Sequence, residues 1–91
     1  MIKSFKHKGV EELFRTGKSR RVKPAFQDKC LRIMDALDVA TVPEEMNIPG
    51  FKFHGLQGNP KRYAVKVSGN YRVTFGWEGT DAIKLNLENY H

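Results

Sequence analysis

Apolar residues recur at helical steps in the first half of this chain and at every second position in the second half. Val10, Leu13 and Phe14 share one helical face and Gly17 closes the turn, which predicts a first helix over residues 10–15. Pro24 suits the first turn of a second helix, where its missing N–H costs nothing. Phe26, Cys30, Ile33, Met34 and Leu37 then form a single apolar stripe that breaks off near Ala40. Before these helices, residues 2–6 alternate imperfectly and predict a short strand. Between them, residues 18–23 form a basic connector. Residues 41–50 hold two prolines and read as a loop, with a short turn at Glu44, Glu45 and Met46.

From Phe51 the period is two. Phe51 and Phe53 alternate with Lys52 and His54. Tyr63, Val65 and Val67 alternate with Arg62, Ala64, Lys66 and Ser68. Tyr71, Val73, Phe75 and Trp77 alternate with Arg72, Thr74 and Gly76, and Ile83, Leu85 and Leu87 with Lys84, Asn86 and Glu88. Turns at Gly58-Asn59-Pro60, Gly69-Asn70 and residues 78–81 join these four strands into an antiparallel meander. The expected fold is α+β: two N-terminal helices packed on one face of a small, mainly antiparallel twisted sheet, forming a single domain over residues 1–91. The apolar strand positions are expected to face the helices. The opposite face then collects Lys52, His54, Arg62, Lys66, Arg72, Thr74, Lys84 and Asn86.

Charge sharpens this picture. Sixteen Lys and Arg face ten Asp and Glu, a net charge of +6. The bias is local: residues 1–29 carry nine basic side chains against three acids, and residues 46–77 carry five basic side chains and no acid. Such stretches attract polyanions, with nucleic acid first and an acidic protein second. The apolar runs are too short for a membrane span, and the basic N-terminus has no apolar stretch behind it to make a signal peptide. A single cysteine, Cys30, lies on the apolar stripe; a buried structural thiol in a reducing cytoplasm is the expectation.

Cleaving RNA at its 2′-hydroxyl requires a general base, a general acid and a cation for the phosphorane. His54 and Arg72 share the predicted polar face and supply an imidazole and a guanidinium. Arg72 also has a plain alternative role, pairing with Glu88 on a neighbouring strand. Tyr90 and His91 end the chain just beyond a strand anchored by Leu87, within reach of the sheet. His7, set among lysines, reads as charged surface, and Trp77, Phe75 and Tyr71 read as core. His7, His54 and His91 lack the spacing of a metal-ligand pair, and the expectation is a site with no metal and no cofactor.

The whole chain resembles the HigB toxins of the RelE-like superfamily. The likeness lies in the opening residues 1–9, in Leu13-Phe14, in the segment His54-x-Leu56-x-Gly58, in Asn70-Tyr71-Arg72-Val73-Thr74-Phe75 and in the terminal Tyr90-His91. The resemblance implies a microbial-ribonuclease-like α+β fold and metal-independent cleavage of mRNA in the ribosomal A site. It implies a cognate HigA-like antitoxin with a helix-turn-helix domain, which alone would bring the pair to operator DNA. By motif, His54, Arg72, Tyr90 and His91 inherit the active-site assignment, with Arg72 stabilising the phosphorane, His54 and His91 as proton-transfer groups, and Tyr90 stacking or assisting. Lys3, Lys6, Lys8, Arg15, Lys18, Arg20, Arg21 and Lys23 are then expected on ribosomal RNA, and Lys52, Lys61, Arg62 and Lys66 nearer the message. The chain departs from the family pattern at Gln57, where relatives carry Lys, and at Ser68, near which they carry a further Arg.

Two other readings use the same cations. A non-catalytic RNA-binding module would share this composition. A DNA-binding regulator acting alone is the weaker of the two, because the stripe from Phe26 to Leu37 is a core face and no second helix offers a base-reading face.

Overall fold

The computed structural model describes residues 1–89. Its elements run α1 (Lys8–Thr16), α2 (Pro24–Val39), a 3-10 turn (Pro43–Met46), β1 (His54–Leu56), β2 (Arg62–Ser68), β3 (Tyr71–Glu78) and β4 (Asp81–Asn89). The four strands form an antiparallel sheet in chain order. Both helices lie on one face, α2 against β2 and β4 and α1 against α2 and β4. Val10, Leu13, Cys30, Ile33, Met34 and Leu37 from the helices close over Val65, Val73, Phe75 and Leu85 from the sheet. No helix among the described residues is long and apolar enough to cross a membrane.

The helix ends follow from local chemistry. His7 is extended, and its Nδ1 accepts a hydrogen bond from the Val10 N–H at 3.1 Å. That cap satisfies one of the orphan donors of the first turn and starts α1 at Lys8, two residues earlier than apolar spacing suggests. The histidine expected as plain surface is a structural cap. Gly17, at φ 85°, ends the helix and its N–H donates to the Leu13 carbonyl. Pro24 opens α2, as its fixed φ favours.

Three sequence expectations are corrected by the sheet. Residues 2–6 do not form a regular strand; they make isolated parallel bridges, Ile2 to Ala82 and Phe5 to Leu85, beside β4. The expected strand at Phe51 and Phe53 begins only at His54, because Lys52 has a positive φ of 48° that breaks the extended run. Ile83 leaves the core face. The β3–β4 register slips between Thr74–Asn86 and Gly76–Ile83, and Lys84 takes a φ of 55°. This bulge resets the alternation, so that Ala82 is buried and Ile83 covers Gly76 on the other side, 3.2 Å from where a Cβ of Gly76 would stand. The Lys84 N–H is satisfied by the Ser4 hydroxyl at 2.8 Å.

Candidate functional site

β1, β2, β3 and β4 present their non-helix face as an open cleft of about 450 Å³. Register builds it. His54 pairs with Ala64, Ala64 with Thr74 and Thr74 with Asn86, so one transverse row crosses the sheet. One step along, Arg72 stands opposite Lys66 and Glu88. His54, Arg62, Arg72, Thr74 and Glu88 line the cleft together with Gly55, Leu56 and Gln57.

Two contacts define the state of His54. Its Nδ1 lies 3.0 Å from the Lys52 carbonyl oxygen, and its Nε2 lies 3.2 Å from Arg72 Nη1. A carbonyl only accepts and a guanidinium only donates. The arrangement that satisfies both is a neutral ring with its proton on Nδ1 and a lone pair on Nε2.

The second group in the cleft is a carboxylate. Glu88 Oε2 accepts from Arg62 Nη1 at 2.9 Å and also from the hydroxyl of Thr74, which is itself buried beneath it. The Thr74 hydroxyl, and after it the Arg62 guanidinium, hold the Glu88 carboxyl below its ordinary range, although partial burial acts the other way. Sequence reasoning placed Glu88 across from Arg72. The backbone register is as expected, yet the carboxylate turns to Arg62 and Thr74.

The other expected cations are scattered. Lys3 is exposed and pairs with Asp81 at 3.7 Å, and Arg15 pairs with Glu11 at 3.1 Å one helical turn away. Lys6 and Lys8 are exposed near the start of α1. Lys23 lies over the rings of Phe26 and Tyr71, and Lys61 over Tyr63. Lys52 and Lys66 are exposed and do not line the cleft. Lys84 occupies the bulge, and the Asn86 side chain accepts from the Leu87 N–H. Tyr90 and His91 lie outside the described residues.

A larger hollow, about 1050 Å³, lies elsewhere, between the end of α1 and the connector to α2. Lys18, Arg20 and Arg21 line it with Glu12, Thr16 and Gln27. Its backbone is pinned: Gln27 Nε2 donates to the carbonyls of Ser19 and Val22, and the Ser19 hydroxyl accepts from the Arg21 N–H. Gly9 lets this loop press against α1, since a Cβ there would stand 2.5 Å from Arg21 Cβ. The hollow is the larger of the two, and no histidine is among its lining residues, whereas His54 lines the smaller cleft. Cys30 lies in neither; it is buried in the core, and burial pushes its thiol up to about 11.

Residues 3–91 match a family model described as RelE-like toxin of type II toxin-antitoxin system HigB. The chain is also 40% identical, over 92 residues and the full length of both proteins, to the endoribonuclease HigB of Proteus vulgaris.

Proposed function

The chain belongs to the HigB-like family of RelE-like toxins of type II toxin–antitoxin systems, and on that premise we propose that it is an endoribonuclease that cuts mRNA in the ribosomal A site and so stops translation. The observation that carries the proposal is the contact between His54 Nε2 and Arg72 Nη1 at 3.2 Å in the open-face cleft. It joins a proton acceptor to a fixed positive charge within the span of one phosphodiester.

In the proposed reaction His54 Nε2 takes the proton of the 2′-hydroxyl. The freed oxygen attacks phosphorus, the bond to the 5′-oxygen breaks, and a 2′,3′-cyclic phosphate and a 5′-hydroxyl result. Arg72 first holds the phosphate and then the extra charge of the phosphorane, where a guanidinium matches two oxygens. Phosphate binding draws Arg72 Nη1 off the imidazole and leaves Nε2 to accept its proton. The imidazolium so formed and Arg72 would repel each other alone; the developing dianion offsets that. His91 would return a proton to the leaving oxygen, and Tyr90 would stack on a base or assist. These side chains suffice without a metal or cofactor.

The connector cations Lys18, Arg20 and Arg21, with Lys3, Lys6, Lys8, Arg15 and Lys23, would hold ribosomal RNA, while Arg62 in the cleft, and Lys52, Lys61 and Lys66 outside it, would lie nearer the message. A cognate helix-turn-helix antitoxin would restrain the toxin and carry it to operator DNA. The work is done on cytoplasmic ribosomes. Expression in growing cells tests the reading: the unmodified protein arrests growth and cuts transcripts, and Arg72→Ala does neither. Growth arrest by a chain that leaves transcripts whole would return the reading to an RNA-binding module without chemistry.

A further inference from the structure

An anion inside a cleft that must receive a phosphodiester is an electrostatic oddity. Glu88 is such an anion on the cleft wall, opposite Arg72 in the strand register and bonded to Arg62. Plain Coulomb reasoning makes it a hindrance to RNA. Its contacts describe something else. Thr74, buried under the sheet's open face, fixes Glu88 Oε2, and that same oxygen fixes Arg62 Nη1 at 2.9 Å. A guanidinium has five N–H donors. Among the described residues, Nη1 is the only nitrogen of Arg62 that donates to a partner, and the side chain remains about half exposed at the cleft. That one bond tethers the guanidinium beside the cleft and narrows the rotamers open to it, while its other donors have no partner among the described residues.

We propose that Glu88 is a positioning residue that, braced by Thr74, aims Arg62 at an RNA phosphate, so that Arg62 and Arg72 form a two-guanidinium clamp across the cleft. This rests on reading the cleft as an RNA site. It also gives the cleft a second cation despite the neutral Gln57 and Ser68. Of Lys61, Arg62 and Lys66, only Arg62 lines the cleft; Lys61 lies over the Tyr63 ring and Lys66 is exposed on β2. Glu88 acts through Arg62 and touches no reacting atom.

The sign of one substitution separates the two views of Glu88. The assay is binding of the full chain to a short single-stranded RNA with 2′-O-methyl riboses, followed by fluorescence anisotropy over a series of salt concentrations. Glu88→Ala is expected to weaken binding about tenfold, although it removes a negative charge. The salt dependence should flatten by about 0.7 in log–log slope, the mark of one lost phosphate contact. Arg62→Ala should give the same weakening and slope, and the double variant should be no weaker than either single one. Glu88→Gln keeps an acceptor oxygen for Thr74 and Arg62 and should bind within about threefold of the unmodified protein. Should Glu88→Ala prove unfolded by thermal melting, Thr74→Val, which leaves both charges in place, is expected to weaken binding about threefold. Tighter binding by Glu88→Ala, additive effects of the two single changes, or no loss in Thr74→Val would overturn the proposal, as would no measurable binding by the unmodified protein. The RNA cannot be cut, so the assay is blind to catalysis. Coupled variants in a chain that cleaves nothing would sink the nuclease reading alone, and additive variants in an active nuclease would sink the clamp alone.

Discussion

The open-face cleft and the connector hollow are both concave and both basic, yet they are built in opposite ways. In the cleft the side chains hold one another: His54 with Arg72, and Arg62 and Thr74 with Glu88. In the hollow the backbone is held, by Gln27, Ser19 and Thr16, and the cations Lys18 and Arg20 are left exposed. Fixed side-chain geometry is what a proton transfer and a developing charge require. A rigid loop bearing solvated cations is what a long polyanion requires, because salt-sensitive phosphate contacts tolerate positional slack. The difference suggests one region for chemistry and the other for grip.

The largest effect should come from the cleft. Arg72→Ala is expected to lower the cleavage rate by about 10²–10³-fold, read from single-turnover cleavage on programmed ribosomes, with little change in ribosome binding. Next is the hollow. Reversing Lys18, Arg20 and Arg21 together to Glu should weaken ribosome co-sedimentation by on the order of a hundredfold, at roughly 1 kcal/mol per phosphate contact, while the cleft stays folded. Unchanged pelleting would take grip away from the hollow. A smaller, structural change tests whether the loop's shape matters. Gly9→Ala puts a methyl 2.5 Å from Arg21 Cβ and 2.8 Å from the His7 ring. It should cost roughly 1–3 kcal/mol in chemical denaturation and loosen ribosome binding without altering RNA binding in the cleft.

The smallest effect is a pH signature of the Thr74–Glu88 contact. Glu88 sits below its ordinary 4.5 in the folded chain. Its stabilisation is thus fully present above that value and is lost as pH falls through the lower folded one. The stability gap between the unmodified protein and Glu88→Gln, read from denaturant midpoints, should therefore narrow below about pH 4.5. A gap that stays constant to pH 2 would contradict the shift.

Much of this comparison was legible in the sequence, through strictly local rules. The change of period at the middle of the chain separated helices from sheet, and alternation placed His54 and Arg72 on one face before any distance was known. What alternation could not supply was the effect of partners remote in sequence. Ile83 switches faces because the bulge at Lys84 is satisfied by Ser4, eighty residues away. His7 caps a helix only because its backbone is extended where the helix begins. Glu88 was visible as the cross-strand neighbour of Arg72, but its hydroxyl brace comes from Thr74, and a threonine in a strand carries no such signal by itself. The connector showed its charge in the sequence and hid its rigidity, which depends on one glutamine amide reaching two carbonyls.

The most direct test of the division between the two regions is mapping of transcript 5′ ends after brief induction of the unmodified protein, Arg72→Ala and the triple connector reversal. The account predicts new 5′-hydroxyl ends, in phase with codons, for the unmodified protein. It predicts none for Arg72→Ala and a much reduced number at the same positions for the reversal. The same ends at full abundance in cells making Arg72→Ala would contradict it, because the cut would then be made somewhere other than the open face of the sheet.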